Sequence, residues 1–293
     1  MPVIDYVFPY VSNSDPEWQK LFKSTKRDKY AAKNTWSEGD IRYRDFDTLK
    51  YFFRGLEKNM PWLNKVYMVV MSESQVPEWV NRETVNIILH KDFIPDSNRP
   101  TFNCSEIEMF MPNLPNVSEY FIWGNDDMFF LKPQKVEDWF RNGKPVYYLG
   151  YKTFMPTKAP GDWLRITAYN LNRNIFQLSL CTTCQHGPIP YRMSALKAFD
   201  KKYHDIMMKS CSHFRENFNL NQWAFADYQI LNGIAINEKK NIVSTELNKE
   251  KIKHDELWKN SVLCLNDAEG ACYIDDAIKH FEQLFPNKSK YEV

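Results

Sequence analysis

Short apolar runs rich in β-branched and aromatic residues recur along the first half of the chain: VIDYVFPYV (3–11), VYMVVM (66–71), VNIILH (85–90), YFIWG (120–124) and VYYLG (145–149). Near-continuous hydrophobicity over so few residues predicts strands buried on both faces. Between them lie stretches with helical spacing. Residues 16–33 open with Asp15-Pro16, a capping side chain followed by the residue best tolerated in a first helical turn. TLKYFFRGLEKN (48–59) places apolar residues three and four apart, and SEIEMFM (105–111) begins on a serine cap. Strands alternating with helices predict an α/β fold, a mainly parallel sheet covered on both faces.

Beyond residue 150 the pattern changes to longer, more polar helical segments (162–180, 192–212, 219–235), the first preceded by the turn KAPGD (158–162). SVLCLND (261–267) reads as a late strand returning to the sheet, and YIDDAIKHFEQLF (273–285) as an amphipathic helix. With no Pro/Gly/Ser linker between the halves, the expectation is one domain over 1–293. Its parts are an α/β core (1–150), a mainly helical part (151–260), and a return strand with terminal helix (261–293).

Composition narrows the function. The chain has 38 Lys plus Arg against 37 Asp plus Glu, so no bulk charge argues for nucleic acid, and any anionic ligand must be met by local charge. The first residues lack the pattern of a secretory signal, and no apolar run approaches the length of a membrane span. The expected location is the cytoplasm; attachment to the inner face of the membrane is compatible with the sequence but not required by it. The six cysteines are then expected reduced. Cys181 and Cys184 have metal-ligand spacing without a second pair, so ordinary helix or loop cysteines are the favoured reading.

YFIWGNDDMFF (120–130) sets Asn125, Asp126 and Asp127 at the end of a predicted central strand, where α/β proteins bind ligands. Clustered hard oxygen donors suit Mg²⁺ or Mn²⁺ holding a diphosphate; an Asx-rich turn capping the strand fits equally well. Glu106 and Glu108, near a helix start, are either ordinary first-turn acids or a general base. His186 in CQHGPIPYR sits on a Gly-Pro turn that would present an imidazole with little freedom, although such a histidine is more often a plain surface residue. Arg42 and Arg44 would point to one side of an extended chain, and Arg215 precedes a helical run; each is a phosphate ligand or a solvated surface arginine.

In order and wording these pieces resemble the Stealth family. IDYVFPYVSNSDPEW (4–18) is similar to its first conserved block, usually close to IDVVYTWVDGSDPEW. Residues 42–70 and 89–130 resemble the second block. HGPIPYRMSALKAF with FRENFNLNQWAFADYQ resembles the third, and LCLND (263–267) the short fourth. The resemblance covers nearly the whole chain.

It implies a Rossmann-like, GT-A-like core that binds a nucleotide sugar, with a helical C-terminal elaboration. It further implies transfer of a hexose-1-phosphate from a UDP-sugar to a hydroxyl of a polysaccharide or glycan, with UMP leaving, as in capsule or cell-wall synthesis. Carried over residue by residue, it makes Asp127, His186, Glu108 and Arg215 catalytic. Together with the residue readings above, the expected substrate-binding residues are Asp15, Arg42, Arg44, Asn103, Asn125 and Asn266, and the expected ligands of a Mg²⁺ or Mn²⁺ ion are Asp127, Asp126 and Asp267. Either His186 or Glu108 takes the acceptor's proton. Ser12 and Asn13 replace the usual Asp-Gly, a departure that bears on donor preference. The rival readings are a metal-dependent glycosyltransferase of the GT-A type, which would release UDP, and a non-catalytic carbohydrate-binding module.

Overall fold

The computed structural model describes residues 2–25, 43–154, 175, 181–184, 187–238, 243–245, 258–265 and 274–293. In chain order the strands are β1 (Ile4–Pro9), β2 (Val66–Val70), β3 (Val85–Leu89), β4 (Tyr120–Trp123), β5 (Met128–Phe130), β6 (Phe140–Arg141), β7 (Lys144–Phe154), β8 (Cys181–Cys184), β9 (Ile189–Arg192), β10 (Ile236–Glu238), β11 (Val243–Thr245) and β12 (Val262–Cys264). The helices are α1 (Pro16–Ser24), α2 (Leu49–Asn59), α3 (Cys104–Met109), α4 (Val136–Trp139), α5 (Met193–Lys209), α6 (Trp223–Leu231) and α7 (Ile274–Leu284).

Five strands form the central sheet in the order β3-β2-β1-β4-β9. The first four run parallel, and β9 closes the edge antiparallel to β4, with Ile189 opposite Trp123. The α/β expectation is met. Alternate residues of β1 serve two cores: Ile4, Tyr6 and Phe8 face the core that includes Phe52, Phe53 and Leu56 of α2 and Phe281 of α7, while Val7 faces the core of Leu196 and Phe199 of α5 and Phe225 of α6. That is why β1 reads as unbroken hydrophobicity. Its one charge, Asp5, is fully buried at the strand's amino end and accepts from Asn64 Nδ2 (2.9 Å), Lys65 N (3.2 Å) and Ser118 N (2.8 Å).

Several expectations need correction. The run 145–149 falls in β7, which lies outside the central sheet with β6, β8 and β10. The late strand 261–267 does not rejoin that sheet either: β12 pairs with β5 and β11. The helical reading of 151–260 misses β8 to β11, and Cys181 and Cys184 lie on a strand rather than a helix or loop. The turn reading of 184–192 gives way at Ile189 to β9, where Pro190 is tolerated because an edge strand pairs on one side only. The expected helix over 16–33 ends at Ser24, with 26–42 outside the described residues, and most of 158–180 lies outside them too.

Candidate active site

β2 and β3 continue the sheet to one side of β1, and β4 lies on the other, so the winding reverses between β1 and β4. Loops leaving such a pair diverge and open a crevice at their carboxyl ends. Tyr10 follows β1 at that point, and Gly124, Asn125, Asp126 and Asp127 follow β4. Met128 N donates to the Asn125 carbonyl at 3.2 Å, closing a tight turn that holds the two aspartates half-buried.

Burial first, then the neighbouring Asp127 and Asp45, push the Asp126 carboxyl well above the ordinary carboxylate range. Asp45 was not anticipated: it accepts a short hydrogen bond from Tyr10 Oη, which brings a third acid to the crevice from 35 residues away. The Asp127 carbonyl accepts from Leu265 N at 2.8 Å, and the Cys264 thiol donates to its carboxylate at 3.6 Å. The end of β12 is therefore fastened to the acidic turn. These are hard oxygen donors of the kind Mg²⁺ and Mn²⁺ prefer. Among the described residues, no three acids, histidines or cysteines already converge as a metal cage.

A second group forms where α3 meets the loop before α6. Arg215 Nη2 donates to the Cys104 Sγ at 2.8 Å. Glu108, one turn along the same helix, accepts from Gln222 N (2.9 Å) and Gln222 Nε2 (3.1 Å) and is 7% exposed. Burial raises its carboxyl to about 7 against the pull of Gln222 and Arg215. Burial likewise raises the Cys104 thiol, with Arg215 opposing. The nearby Cys104, then Tyr43 and Glu108, raise the Arg215 guanidinium further, so it stays charged.

Aromatic packing ties this group to the crevice. Phe102 and Phe214, the chain neighbours of Asn103 and Arg215, stack with centroids 5.3 Å apart. They pack with Trp18 of α1 and with Tyr43, whose hydroxyl donates to the Phe102 carbonyl at 3.1 Å. Tyr43 is two residues from Asp45, so one short segment touches both groups.

Two residues expected to bind substrate also make structural contacts. Asn103 is wholly buried; its oxygen caps α3 through Ser105 N (3.1 Å) and its nitrogen donates to Ser212 O (2.9 Å), Asn219 Oδ1 (3.0 Å) and Phe214 O (3.2 Å). It holds the Arg215 loop. Asp15 caps α1 through Glu17 N (3.0 Å) and accepts from Ser74 Oγ (2.9 Å) and Gln75 Nε2 (2.8 Å), fastening the loops after β1 and β2 to each other. Arg44 is exposed, 5.4 Å over the Phe46 ring, and Asn125 is half-buried in the turn. Arg42, His186, Asn266 and Asp267 lie outside the described residues.

Fold and site together define an α/β protein with an acidic turn at the switch point of its sheet and a half-buried arginine braced by Cys104. Residues 42–147 match the family description "Stealth protein CR2, conserved region 2". The capsular polysaccharide phosphotransferase eps5J of Streptococcus thermophilus is 31% identical, over 72% of this chain and 84% of its own. The receptor polysaccharide phosphotransferase WefC of Streptococcus oralis is 28% identical over the full length of both. Among solved structures, the galactosyltransferase LgtC in complex with donor and acceptor sugar analogs aligns over 98% of this chain and 96% of its own at 9% identity and a TM-score of 0.44, too loose a likeness to carry an argument. The chain belongs to the Stealth family of sugar-phosphate transferases.

Proposed function

We propose that this protein transfers a hexose-1-phosphate from a UDP-sugar to a hydroxyl of a polysaccharide acceptor, releasing UMP. The observation that carries the reading is the acidic turn Asn125 to Asp127 at the switch point between β1 and β4, in a chain whose relatives are named polysaccharide phosphotransferases. Cytoplasmic placement belongs to the same proposal; no helix among the described residues is long and apolar enough to cross a membrane.

Asp126 and Asp127 fit a divalent cation, since burial and mutual repulsion make two adjacent carboxylates costly without one. Asp267, two residues beyond the Leu265 that is bonded to Asp127, is the proposed third donor. When bound, Mg²⁺ or Mn²⁺ neutralises charge on the donor's diphosphate.

Arg215, braced by Cys104 and facing Glu108, supplies fixed positive charge to the transferred phosphoryl group. The acceptor oxygen bonds to the phosphorus attached to the sugar, the bond from that phosphorus to the UMP oxygen breaks, and the acceptor's proton passes to His186. Glu108 is assigned to hold the loop before α6, since Gln222 donates to both of its oxygens, and it stays the alternative proton acceptor. Arg42, Arg44, Asn125 and Asn266 remain assigned to substrate.

The test is incubation with a UDP-sugar, Mg²⁺ and polysaccharide acceptors, followed by chromatography of the nucleotide product. UMP with a phosphodiester-linked sugar is expected. UDP would instead establish a glycosyltransferase that attacks the sugar's C1.

A further inference from the structure

The side chain of Tyr6 is 0% exposed, and its hydroxyl has no hydrogen-bond partner among the described residues. Such a group costs the fold the full desolvation of a hydroxyl, which is why nearly all buried hydroxyls are paired. A phenylalanine would avoid the cost. The ring itself is well placed, packed edge-on against Phe52 (5.8 Å) and Phe130 (5.7 Å), so the hydroxyl alone is unexplained.

Its position points to the acidic turn. The chain comes so close to this hydroxyl at Gly124 that a Cβ there would stand 1.9 Å from Tyr6 Oη. No other residue type fits position 124 without moving the ring, so sequence and packing together keep room for one oxygen directly beneath the turn. The groups that act on it electrostatically are Asp127, Asp126 and Cys264. Cys264, from below the same turn, already donates its thiol to Asp127.

We propose that Tyr6 is a positioning residue for the divalent-cation site: its hydroxyl donates to the Asp126–Asp127 carboxylates when they hold the ion, fixing their orientation from beneath. This rests on the metal reading given above. Carboxylates that bind a metal are themselves held by hydrogen-bond donors, and loss of such a donor lowers metal affinity about ten to one hundredfold. Phenol is a suitable donor here because it brings no charge of its own into a wholly buried position.

The test is calorimetric titration of Mn²⁺ into the full chain, without donor substrate, for wild type, Tyr6→Phe and Asp127→Asn, with thermal melts in metal-free buffer. Tyr6→Phe is expected to weaken Mn²⁺ binding about tenfold or more. Its metal-free melting temperature should equal or exceed that of wild type, since an unpaired hydroxyl has been removed. In turnover, the Mn²⁺ concentration giving half-maximal rate should rise by the same factor, with the rate at saturating Mn²⁺ within about threefold of wild type.

Wild-type Mn²⁺ affinity in Tyr6→Phe, with binding lost in Asp127→Asn, would overturn the role of Tyr6 and leave the metal reading standing. Absence of Mn²⁺ binding in wild type itself would overturn both. A fall in metal-free stability in Tyr6→Phe would show that the hydroxyl is already paired before metal arrives, and would also overturn the proposal.

Discussion

Arg215 donates to the Cys104 thiol at 2.8 Å, across 111 residues of sequence, so a sulfur at the start of α3 helps hold the guanidinium on which phosphoryl transfer is proposed to depend. Cys104→Ala removes that acceptor and frees the guanidinium to rotate. A fall in kcat of about tenfold is expected, equivalent to about 1.4 kcal/mol. Cys104→Ser keeps an acceptor and should stay within about threefold. Wild-type kcat in Cys104→Ala would mean that the remaining contacts fix Arg215 unaided.

Asp127 can be tested with little risk to the fold, because Asn is nearly isosteric and its carbonyl oxygen can still accept from the Cys264 thiol. Asp127→Asn should remove most turnover with the melting temperature kept, and EDTA should reproduce the loss in wild type. Full activity of either in metal-free buffer would exclude the proposed ion.

How much of this was legible beforehand depends on whether the information is local. β1, β2, β3 and β4 were readable because each is buried on both sides and so carries a continuous apolar run, and the turn Asn125 to Asp127 stood out against that background. β9 was hidden: Pro188 and Pro190 signal a turn, while the partner that makes a strand of them, β4, lies about 70 residues away. Asp45 was passed over between Arg44 and Asp47 for the same reason, since only the fold brings it to Tyr10. Asp15 and Asn103 illustrate the opposite case. Their residue types suit ligand binding, but composition cannot tell whether an oxygen is already spent on a helix cap.

The chain's end is clasped to α2 by a bidentate pair. Arg54 Nε and Nη2 donate to Glu292 at 2.8 and 2.7 Å, and Arg54 Nη1 donates to the Phe285 carbonyl at 3.0 Å. With the side chains only 14% and 5% exposed, Glu292→Ala leaves a guanidinium nearly buried without its counter-charge, a loss of about 3 kcal/mol. Urea unfolding should show a lower midpoint in the variant at an unchanged slope. Burial raises the Glu292 carboxyl, but its bonds to Arg54 and Ser289 outweigh this and hold it below the ordinary value. The clasp's contribution is therefore present above about pH 4.5 and lost as pH falls through the lowered pKa.

Glu108 has the opposite sign. Its carboxyl is raised from 4.5 to about 7, so the folded state favours the protonated form. The associated stability is complete below pH 4.5 and is lost as pH rises through 7, a change of about 3 kcal/mol. Glu108→Gln cannot titrate. The stability of wild type relative to this variant should decline between pH 4 and pH 8 by that amount, measured as urea midpoints across the range; a constant difference would mean that Glu108 titrates alike in the folded and unfolded chain.

The same raised carboxyl changes how the proton acceptor must be identified. An unperturbed imidazole titrates near 6.5, and Glu108 at about 7 would give an acid limb in nearly the same place, so the pH at which wild-type rate falls does not separate His186 from Glu108. The variants do. If His186 accepts the proton, His186→Ala should abolish the acid limb together with most activity. Glu108→Gln should keep that limb while losing rate, because Gln222 and the Arg215 loop are no longer held by a carboxylate. If Glu108 is the base, the limb vanishes in Glu108→Gln and survives in the residual activity of His186→Ala. Each Glu108 oxygen accepts one hydrogen bond from Gln222 and keeps a further lone pair, so the choice rests on the variants. pH-rate profiles of the three proteins at saturating UDP-sugar and Mg²⁺ decide it, and an intact acid limb in His186→Ala would transfer the role to Glu108.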